Sequence, residues 1–216
     1  MPEIITFIGW HDSGKTTLAS QVVSHLKKDG YRVAVIKSSE EHGIGFDTPG
    51  TDSYKHKEAG ADSVLFVAPD QMVMMTANSG QPLTSLVHQY FTDVDIVIGE
   101  GFKTAVGVAK IEVVRDHKQH LRDQVEGVIA VATTLDINYP KVFDLNDSLT
   151  IAAFIRRRFL ANAPPQAPAR AVLWVNGRQV PLKSFVQNAL SETVAGFVKS
   201  LNGTENAKDI KISINT

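Results

Sequence analysis

Short apolar runs alternate with helically spaced apolar positions along most of the chain. Several of the runs are apolar on successive residues, as is typical of strands buried on both faces, and they predict strands over 4–9, 32–37, 62–68, 95–100, 110–115 and 127–133. Apolar spacing of three and four residues predicts helices over 15–29, 51–60, 82–91 and 147–160. This alternation predicts an α/β fold with an open, mostly parallel sheet flanked by helices.

The pattern changes after residue 160. Residues 161–170 are rich in Ala and Pro, which predicts an extended, fairly stiff linker. Beyond it, Asn176-Gly177 between apolar arms predicts a hairpin, residues 184–201 carry a helical apolar face, and residues 210–214 alternate like a strand. We therefore predict a first domain over 1–160 and a small β-β-α-β accessory module over 171–216, which docks on a partner.

Composition narrows the classes of protein. The chain of 216 residues has a formal net charge of −1, which argues against bulk attraction to nucleic acid or to a membrane surface. It contains no cysteine, so disulfide bonds and thiolate metal sites are excluded. We find neither a signal-peptide pattern nor an apolar run of about 20 residues, and we expect a cytoplasmic protein.

The first chemical motif lies between the first predicted strand and the first predicted helix. Residues 9–16, GWHDSGKT, fit the pattern G-x-x-x-x-G-K-[ST], in which backbone N–H groups surround phosphate oxygens. The lysine can reach the β- and γ-phosphates and the threonine hydroxyl can bind Mg²⁺. The alternative is a glycine-rich turn with an exposed lysine. The predicted phosphate-binding residues are Gly9, Trp10, His11, Asp12, Ser13, Gly14, Lys15, Thr16 and Thr17.

A second motif, DIVIGEGFK at 95–103, ends a predicted strand in an acidic residue. Ligands of open α/β sheets lie beyond the carboxyl ends of the strands, so Glu100 is predicted near the phosphates, where it binds Mg²⁺ or orients the attacking water. Gly101 would let the loop approach the γ-phosphate, and Lys103 would add positive charge. A sheet-edge carboxylate without a ligand is the alternative.

Six segments together resemble one known family. They are GWHDSGKTTL, VAVIK, FDTPGTDSYKHKEAGA at 46–61, VIGEGFK, AKIEVVR at 109–115 and VFDLND at 142–147. Their order and spacing are similar to those of the MobB family of molybdopterin-guanine dinucleotide biosynthesis proteins over roughly residues 3–155. The phosphate motif alone is shared by very many families, and the combination is far more specific.

The resemblance implies a GTP-binding adapter that uses Mg²⁺ and has weak GTPase activity. Lys15 and Glu100 would then be its catalytic residues. Such a protein assists attachment of GMP to molybdopterin and forms a homodimer. Its partners would be molybdopterin, the molybdenum cofactor guanylyltransferase and the apo-proteins of molybdoenzymes.

The resemblance also assigns residues 47–53 to a switch-like loop beside the nucleotide. The turn chemistry of Asp-Thr-Pro-Gly agrees with a loop. Asp52 and Ser53 are equally good helix N-caps, so a simple helix start is an open alternative for them. Asp47 is the better candidate for a contact on the magnesium side. The predicted magnesium ligands are therefore Thr16, Asp47 and Glu100.

Two features of the sequence differ from what a GTP-binding member of this family is expected to carry. Ser38-Ser39-Glu40-Glu41, here called the SSEE segment, stands where family members usually carry histidines. No N-K-x-D motif for guanine occurs, and Asp136 in TTLD is the candidate acceptor for the guanine N–H groups. Two other functions stay open: an ATP-dependent small-molecule kinase or ligase of the same fold, and a GTPase metallochaperone, which the sparse histidines disfavour.

Overall fold

The computed structural model describes residues 2–161, 171–175, 178–180, 182, 184–207 and 209–213. Its strands are β1 (Glu3–Ile8), β2 (Val33–Lys37), β3 (Ser63–Val67), β4 (Met72–Thr76), β5 (Ile96–Glu100), β6 (Ala109–Val114), β7 (Val128–Thr133), β8 (Val142–Asp144), β9 (Leu173–Val175) and β10 (Arg178–Val180). Its helices are α1 (Lys15–Lys28), α2 (Asp52–Glu58), α3 (Leu83–Tyr90), α4 (Ser148–Ile155) and α5 (Ser184–Lys199). A π-helical turn over Arg156–Leu160 continues α4.

Six strands form the main sheet in the order β2-β5-β1-β6-β7-β8. Every neighbouring pair in this sheet is parallel, so all six carboxyl ends lie at one edge. The prediction of an open, mostly parallel α/β sheet is confirmed. Within the described residues, no helix combines the length and the apolar character needed to cross a bilayer.

The core lies on both faces of this sheet. Helices α1 and α4 pack together, and α1 packs on the central strands. The helical spacing of its apolar residues explains this, because one stripe of α1 faces the sheet. The larger cluster includes Ile5, Phe7, Leu18, Val22, Leu26, Ile98, Ile111, Ile151 and Ile155. The smaller cluster, which involves α3, consists of Leu83, Val87, Val97 and Val108.

Strands β3 and β4 form a separate antiparallel hairpin. The strand predicted over 62–68 is confirmed as β3, but its expected place in the mostly parallel sheet is wrong, and β4 was not predicted. The apolar side chains of the hairpin are exposed, with Phe66 at 50% and Met72 at 70%. Apolar periodicity indicates that a strand is covered, but it does not indicate that the same chain covers it.

The tail contains the antiparallel pair β9–β10 and the helix α5. Trp174 of β9 contacts the ring of His88 in α3, edge to face, at 4.8 Å between ring centroids. The expected last strand is wrong for residues 210–213, which are not a strand, and residue 214 lies outside the described residues. The β-β-α-β module is therefore not confirmed. The expected linker falls almost wholly on residues 162–170, outside the described part, so the domain boundaries stay a prediction.

Candidate nucleotide-binding site

The candidate site lies at the carboxyl edge of the main sheet. Strand β5 is flanked by β1 and β2, and Glu100 at its end is in register with Phe7 on one side and Lys37 on the other. The loop of residues 9–16, here called the phosphate loop, leaves β1 at this edge and leads directly into α1. Residues far apart in the sequence therefore meet here because parallel strands end together.

The phosphate loop is close to its neighbours at both glycines. A Cβ added to Gly9, at φ 151°, would collide with the Val113 carbonyl and would lie 2.8 Å from Ser13 Oγ. Gly14 adopts φ 95° directly before α1, a left-handed conformation that side chains disfavour. The two glycines of the motif thus have the backbone role that the sequence predicts.

Lys15 reaches back across the phosphate loop. Its ammonium donates to the Trp10 carbonyl, and Ser13 Oγ lies 3.5 Å away. Partial burial lowers the pKa of Lys15, Glu100 opposes this, and the positive charge of Lys37 lowers it further. The ammonium is therefore partly desolvated, and a polyanion bound at the loop would stabilise its charge.

Thr16 and Glu100, 84 residues apart in sequence, are in direct contact. The Thr16 hydroxyl donates to Glu100 Oε1 at 2.6 Å, and Lys37 Nζ lies 3.0 Å from the same oxygen. The structure thus brings together two residues that the sequence assigned to one site. Sequence reasoning missed Lys37, although it ends a predicted strand, because the order of strands in the sheet was not known.

The oxygen donors of this site fit magnesium. A threonine hydroxyl and a carboxylate are hard ligands, and Mg²⁺ in nucleotide sites takes its other ligands from phosphates and water. Among the described residues, no group of three or more His, Cys, Asp or Glu side chains could hold a metal ion. The site therefore suits an ion that arrives with a nucleotide.

The loop after β5 is tied to the SSEE segment. The amide of Gly101 donates to the Phe7 carbonyl at 2.9 Å, and that of Phe102 donates to Ser38 Oγ at 3.0 Å. Lys103 forms an ion pair with Glu40 at 2.8 Å. The residues that replace the usual histidines thus hold the acidic loop in place, and Lys103 directs its charge to Glu40.

A buried lysine fixes the rest of this loop. Lys110 Nζ donates to the carbonyls of Ala105 (2.6 Å), Val108 (3.2 Å) and Glu126 (2.8 Å). Burial lowers its pKa. Sequence reasoning missed this role, because a lysine inside an apolar strand gives no sign of which carbonyls will surround it.

Other predicted residues lie apart from this centre. Asp47 Oδ1 accepts from the Thr48 amide at 2.8 Å and from Thr51 Oγ1 at 3.0 Å, within its own loop. Hydrogen bonding by the Ser53 and Thr51 hydroxyls lowers its pKa. No described contact joins Asp47 to Thr16 or Glu100, so its magnesium role stays a prediction.

The rim of the phosphate loop and the expected base-binding residue are solvent-exposed. His11 Nδ1 lies 2.9 Å from Asp12 Oδ2, and both side chains are exposed, as is Trp10. Asp136 is exposed just beyond β7, at the same edge of the sheet as the phosphate loop. This position is compatible with a contact to a base, and the role remains a prediction.

Comparison with known proteins decides the family. The family model for molybdopterin guanine dinucleotide synthesis protein B, MobB, matches residues 4–134. The chain belongs to the MobB family. The matched residues include the phosphate loop, the Thr16–Glu100 pair and Lys37, so the family match covers the whole centre of the candidate site.

Individual MobB relatives extend this result. The chain is 31% identical over 163 residues to the molybdopterin-guanine dinucleotide biosynthesis adapter protein of Escherichia coli (strain K12), covering 72% of this chain and 92% of the relative. A relative from Methanocaldococcus jannaschii is 26% identical over 98% of this chain and 97% of its own length. The tail is therefore shared with at least one relative.

Solved structures agree on the fold. A crystal structure of molybdopterin-guanine biosynthesis protein B is 29% identical, with a TM-score of 0.59, and covers 71% of this chain and 97% of its own. The MobB homologue from Bacillus stearothermophilus, at 19% identity, has a TM-score of 0.58 and covers 74% of this chain and 99% of its own. The second likeness concerns the fold alone.

Proposed function

We propose that this chain is a GTP-binding adapter of molybdenum cofactor biosynthesis that hydrolyses GTP slowly and assists formation of molybdopterin guanine dinucleotide. The observation that carries the nucleotide site is the contact of Thr16, next to the phosphate-loop lysine, with Glu100 at the end of β5. The names of its relatives, which are adapter proteins of molybdopterin-guanine dinucleotide biosynthesis, support the cellular role.

Each residue of the proposed site has its own role in binding. The amides of the phosphate loop and Lys15 bind the β- and γ-phosphates, and the N-terminus of α1 adds its dipole. Thr16 and Glu100, together with Asp47, would hold Mg²⁺. When bound, Mg²⁺ neutralises phosphate charge. Asp136 accepts hydrogen bonds from guanine and gives preference for GTP over ATP.

Slow hydrolysis fits the environment of Glu100. Its Oε1 already accepts from Thr16 and pairs with Lys37. Because this oxygen is already engaged by two donors, only the other carboxylate oxygen of Glu100 is left to orient a water molecule, which limits its use in hydrolysis. Binding of GTP, rather than rapid turnover, is then the main function of the site.

Titration calorimetry with GTP and ATP, with and without Mg²⁺, tests the nucleotide step. We expect GTP to bind more tightly than ATP and Mg²⁺ to increase its affinity. Lys15→Ala should remove most of the affinity, whereas Lys118→Gln, which removes a charge from an exposed position, should not. Preferential binding of ATP with transfer of phosphate to a metabolite would indicate the kinase or ligase instead.

Reconstitution tests the cellular step. Purified guanylyltransferase, molybdopterin and an apo-molybdoenzyme are incubated with GTP, with or without this protein, and the yield of the guanine dinucleotide cofactor is measured. We expect the wild-type chain to raise the yield and Lys15→Ala to raise it less. Equal yields in all three samples would contradict the adapter function.

A homodimer is the assembly that we propose. The exposed apolar residues of the β3–β4 hairpin support it, because a monomer would leave them in water; they lie on both faces of the hairpin and are Leu65, Phe66, Val67, Met72, Val73 and Met74. Strand β2 is an edge of the main sheet, and Val35 on it is 51% exposed. An edge strand offers a second copy backbone contacts, and the hairpin offers it side-chain contacts.

A further inference from the structure

Arg115 is the first residue after β6, and it contacts the phosphate loop from the side opposite Glu100. Its Nε donates to the Ser13 carbonyl at 3.0 Å. A Cβ placed on Gly14 would lie 3.1 Å from its Nη2, so the guanidinium lies against the backbone of the loop. Neither the sequence reasoning nor the family comparison assigned a function to this side chain.

The bond to Ser13 controls a donor of the phosphate site. The peptide unit between Ser13 and Gly14 is planar and trans, so its C=O and its N–H point in opposite directions. A phosphate-binding loop directs its N–H groups inward and its carbonyls outward. By holding the Ser13 carbonyl outward, Arg115 directs the Gly14 N–H towards the phosphates.

The charge of Arg115 also fits an anionic ligand. The guanidinium lies near the N-terminus of α1, where the helix dipole is positive, and Lys15 adds another cation there. Arg115 forms no ion pair with a carboxylate in the part of the chain that the structure describes. Phosphates bound at the loop would therefore gain a favourable charge interaction with this guanidinium.

The segment that follows Arg115 is anchored. Glu112, fully buried in β6, accepts a hydrogen bond from the Leu121 amide and pairs with Arg122 at 3.3 Å. Strand β6 therefore holds both ends of the segment from 115 to 122, the first end through the chain itself and the second through Glu112. A side chain that starts from an anchored backbone loses less entropy when it forms its bond to the phosphate loop.

We infer that Arg115 is a positioning residue for nucleotide binding, which sets the direction of the Gly14 N–H and adds charge for the polyphosphate. This inference rests on the proposed nucleotide site and deepens it. Arg115 acts through the loop backbone, so its effect on affinity should be larger for nucleotides with two or three phosphates than for a monophosphate.

The test is titration calorimetry of the full chain with GTP, GDP and GMP, together with melting temperatures with and without GTP. For R115Q we expect the affinity for GTP and GDP to fall on the order of tenfold, because a charge-assisted bond is lost. The affinity for GMP should fall by a smaller factor. R115K, which keeps the charge but loses the Nε bond, should be intermediate.

The melting temperatures separate positioning from simple support of the fold. R115Q without nucleotide should melt close to the wild-type temperature, because it loses a single partly buried hydrogen bond. The increase in its melting temperature caused by GTP should be smaller than that of the wild type. Lys118→Gln, a charge removed from the same segment, should behave as wild type. Unchanged GTP affinity in R115Q, or an equal loss for all three nucleotides, would overturn the inference. If the wild type bound no nucleotide, the proposed function would fail and this inference with it.

Discussion

The main sheet and the β3–β4 hairpin are built from similar apolar residues but have opposite surroundings. In β5, Ile96, Val97 and Ile98 are buried completely, whereas Leu65 and Phe66 of β3 are half-exposed. The sheet is covered by helices on both faces, and its carboxyl edge carries the candidate nucleotide site. The hairpin is paired only with itself.

This difference shows that a strand can be rich in apolar residues for two different reasons. In the sheet, apolar residues stabilise the fold of the single chain. In the hairpin they are exposed and contribute less to that fold, and in the proposed dimer their function is association. Substitutions in the two regions should therefore change different measured quantities, the free energy of unfolding in the first and the oligomeric state in the second.

The largest expected effect is on association. Replacing Phe66 and Met74 together by aspartate places charges on the exposed hairpin, and desolvating them in an interface would be very costly. We expect a change from dimer to monomer in sedimentation or light scattering, with the far-UV circular dichroism of the sheet retained. A Leu149→Asp variant, at an exposed apolar position of α4, should stay dimeric. An unchanged mass for the double variant would exclude the hairpin as the dimer interface.

The next effect is on the stability of the sheet. Ile98→Ala removes a buried side chain from the centre of the core, so we expect a loss of about 2–5 kcal/mol in the free energy of unfolding. Leu65→Ala should cost less than about 1 kcal/mol in the monomeric hairpin variant, where no partner covers it. Urea denaturation measures both values. Similar losses at the two positions would show that the hairpin belongs to the core.

The sequence predicted best what depends on local spacing and on strand polarity. The phosphate loop and the start of α1 at Lys15 follow from one motif, and the meeting of Thr16 with Glu100 follows from the rule that parallel strands end at one edge. The roles of Lys37 and Arg115 depend on which strand lies beside β1 and β5. That order is decided by packing over long distances, which the sequence pattern does not record.

The errors have a related cause. Residues 62–68 have the apolar character of a buried strand, and residues 210–214 have clean alternation, yet the first segment is exposed and 210–213 is not a strand. Periodicity describes which side chains would share a face, and tertiary contacts decide whether a face is used.

A smaller effect concerns magnesium at the edge of the sheet. Glu100→Gln keeps the size of the side chain but removes the negative charge beside Thr16. We expect the increase in GTP affinity caused by Mg²⁺ to fall on the order of tenfold, with little change in affinity without Mg²⁺. Calorimetry at two Mg²⁺ concentrations measures this. Glu41→Gln, in the exposed SSEE segment, is the matched control. The Phe66/Met74 double variant should keep the wild-type dependence of GTP affinity on Mg²⁺, and loss of that dependence would show that the site needs the dimer.

The smallest effect is a dependence of the free energy of unfolding on pH in the acid range, which arises in the main sheet. Asp95 precedes β5, and its carboxylate accepts from the Arg32 amide at 2.7 Å and from the Arg32 guanidinium at 2.8 Å. The Arg32 side chain holds the pKa of Asp95 below its usual value. Because the pKa of the carboxyl group is lower in the folded protein, its ionised form stabilises the fold when the pH is above the unfolded pKa of about 3.9. This stabilisation is lost as the pH falls through the folded pKa.

Asp95→Asn should therefore lower the free energy of unfolding by about 1 kcal/mol relative to wild type at neutral pH, and this difference should close below about pH 4. Asp70→Asn, in the turn between β3 and β4, should follow the wild-type curve, because no described contact holds its carboxyl group. Denaturation in urea over this pH range gives the curves. Parallel curves for wild type and Asp95→Asn would show that the Arg32 pair does not stabilise the sheet.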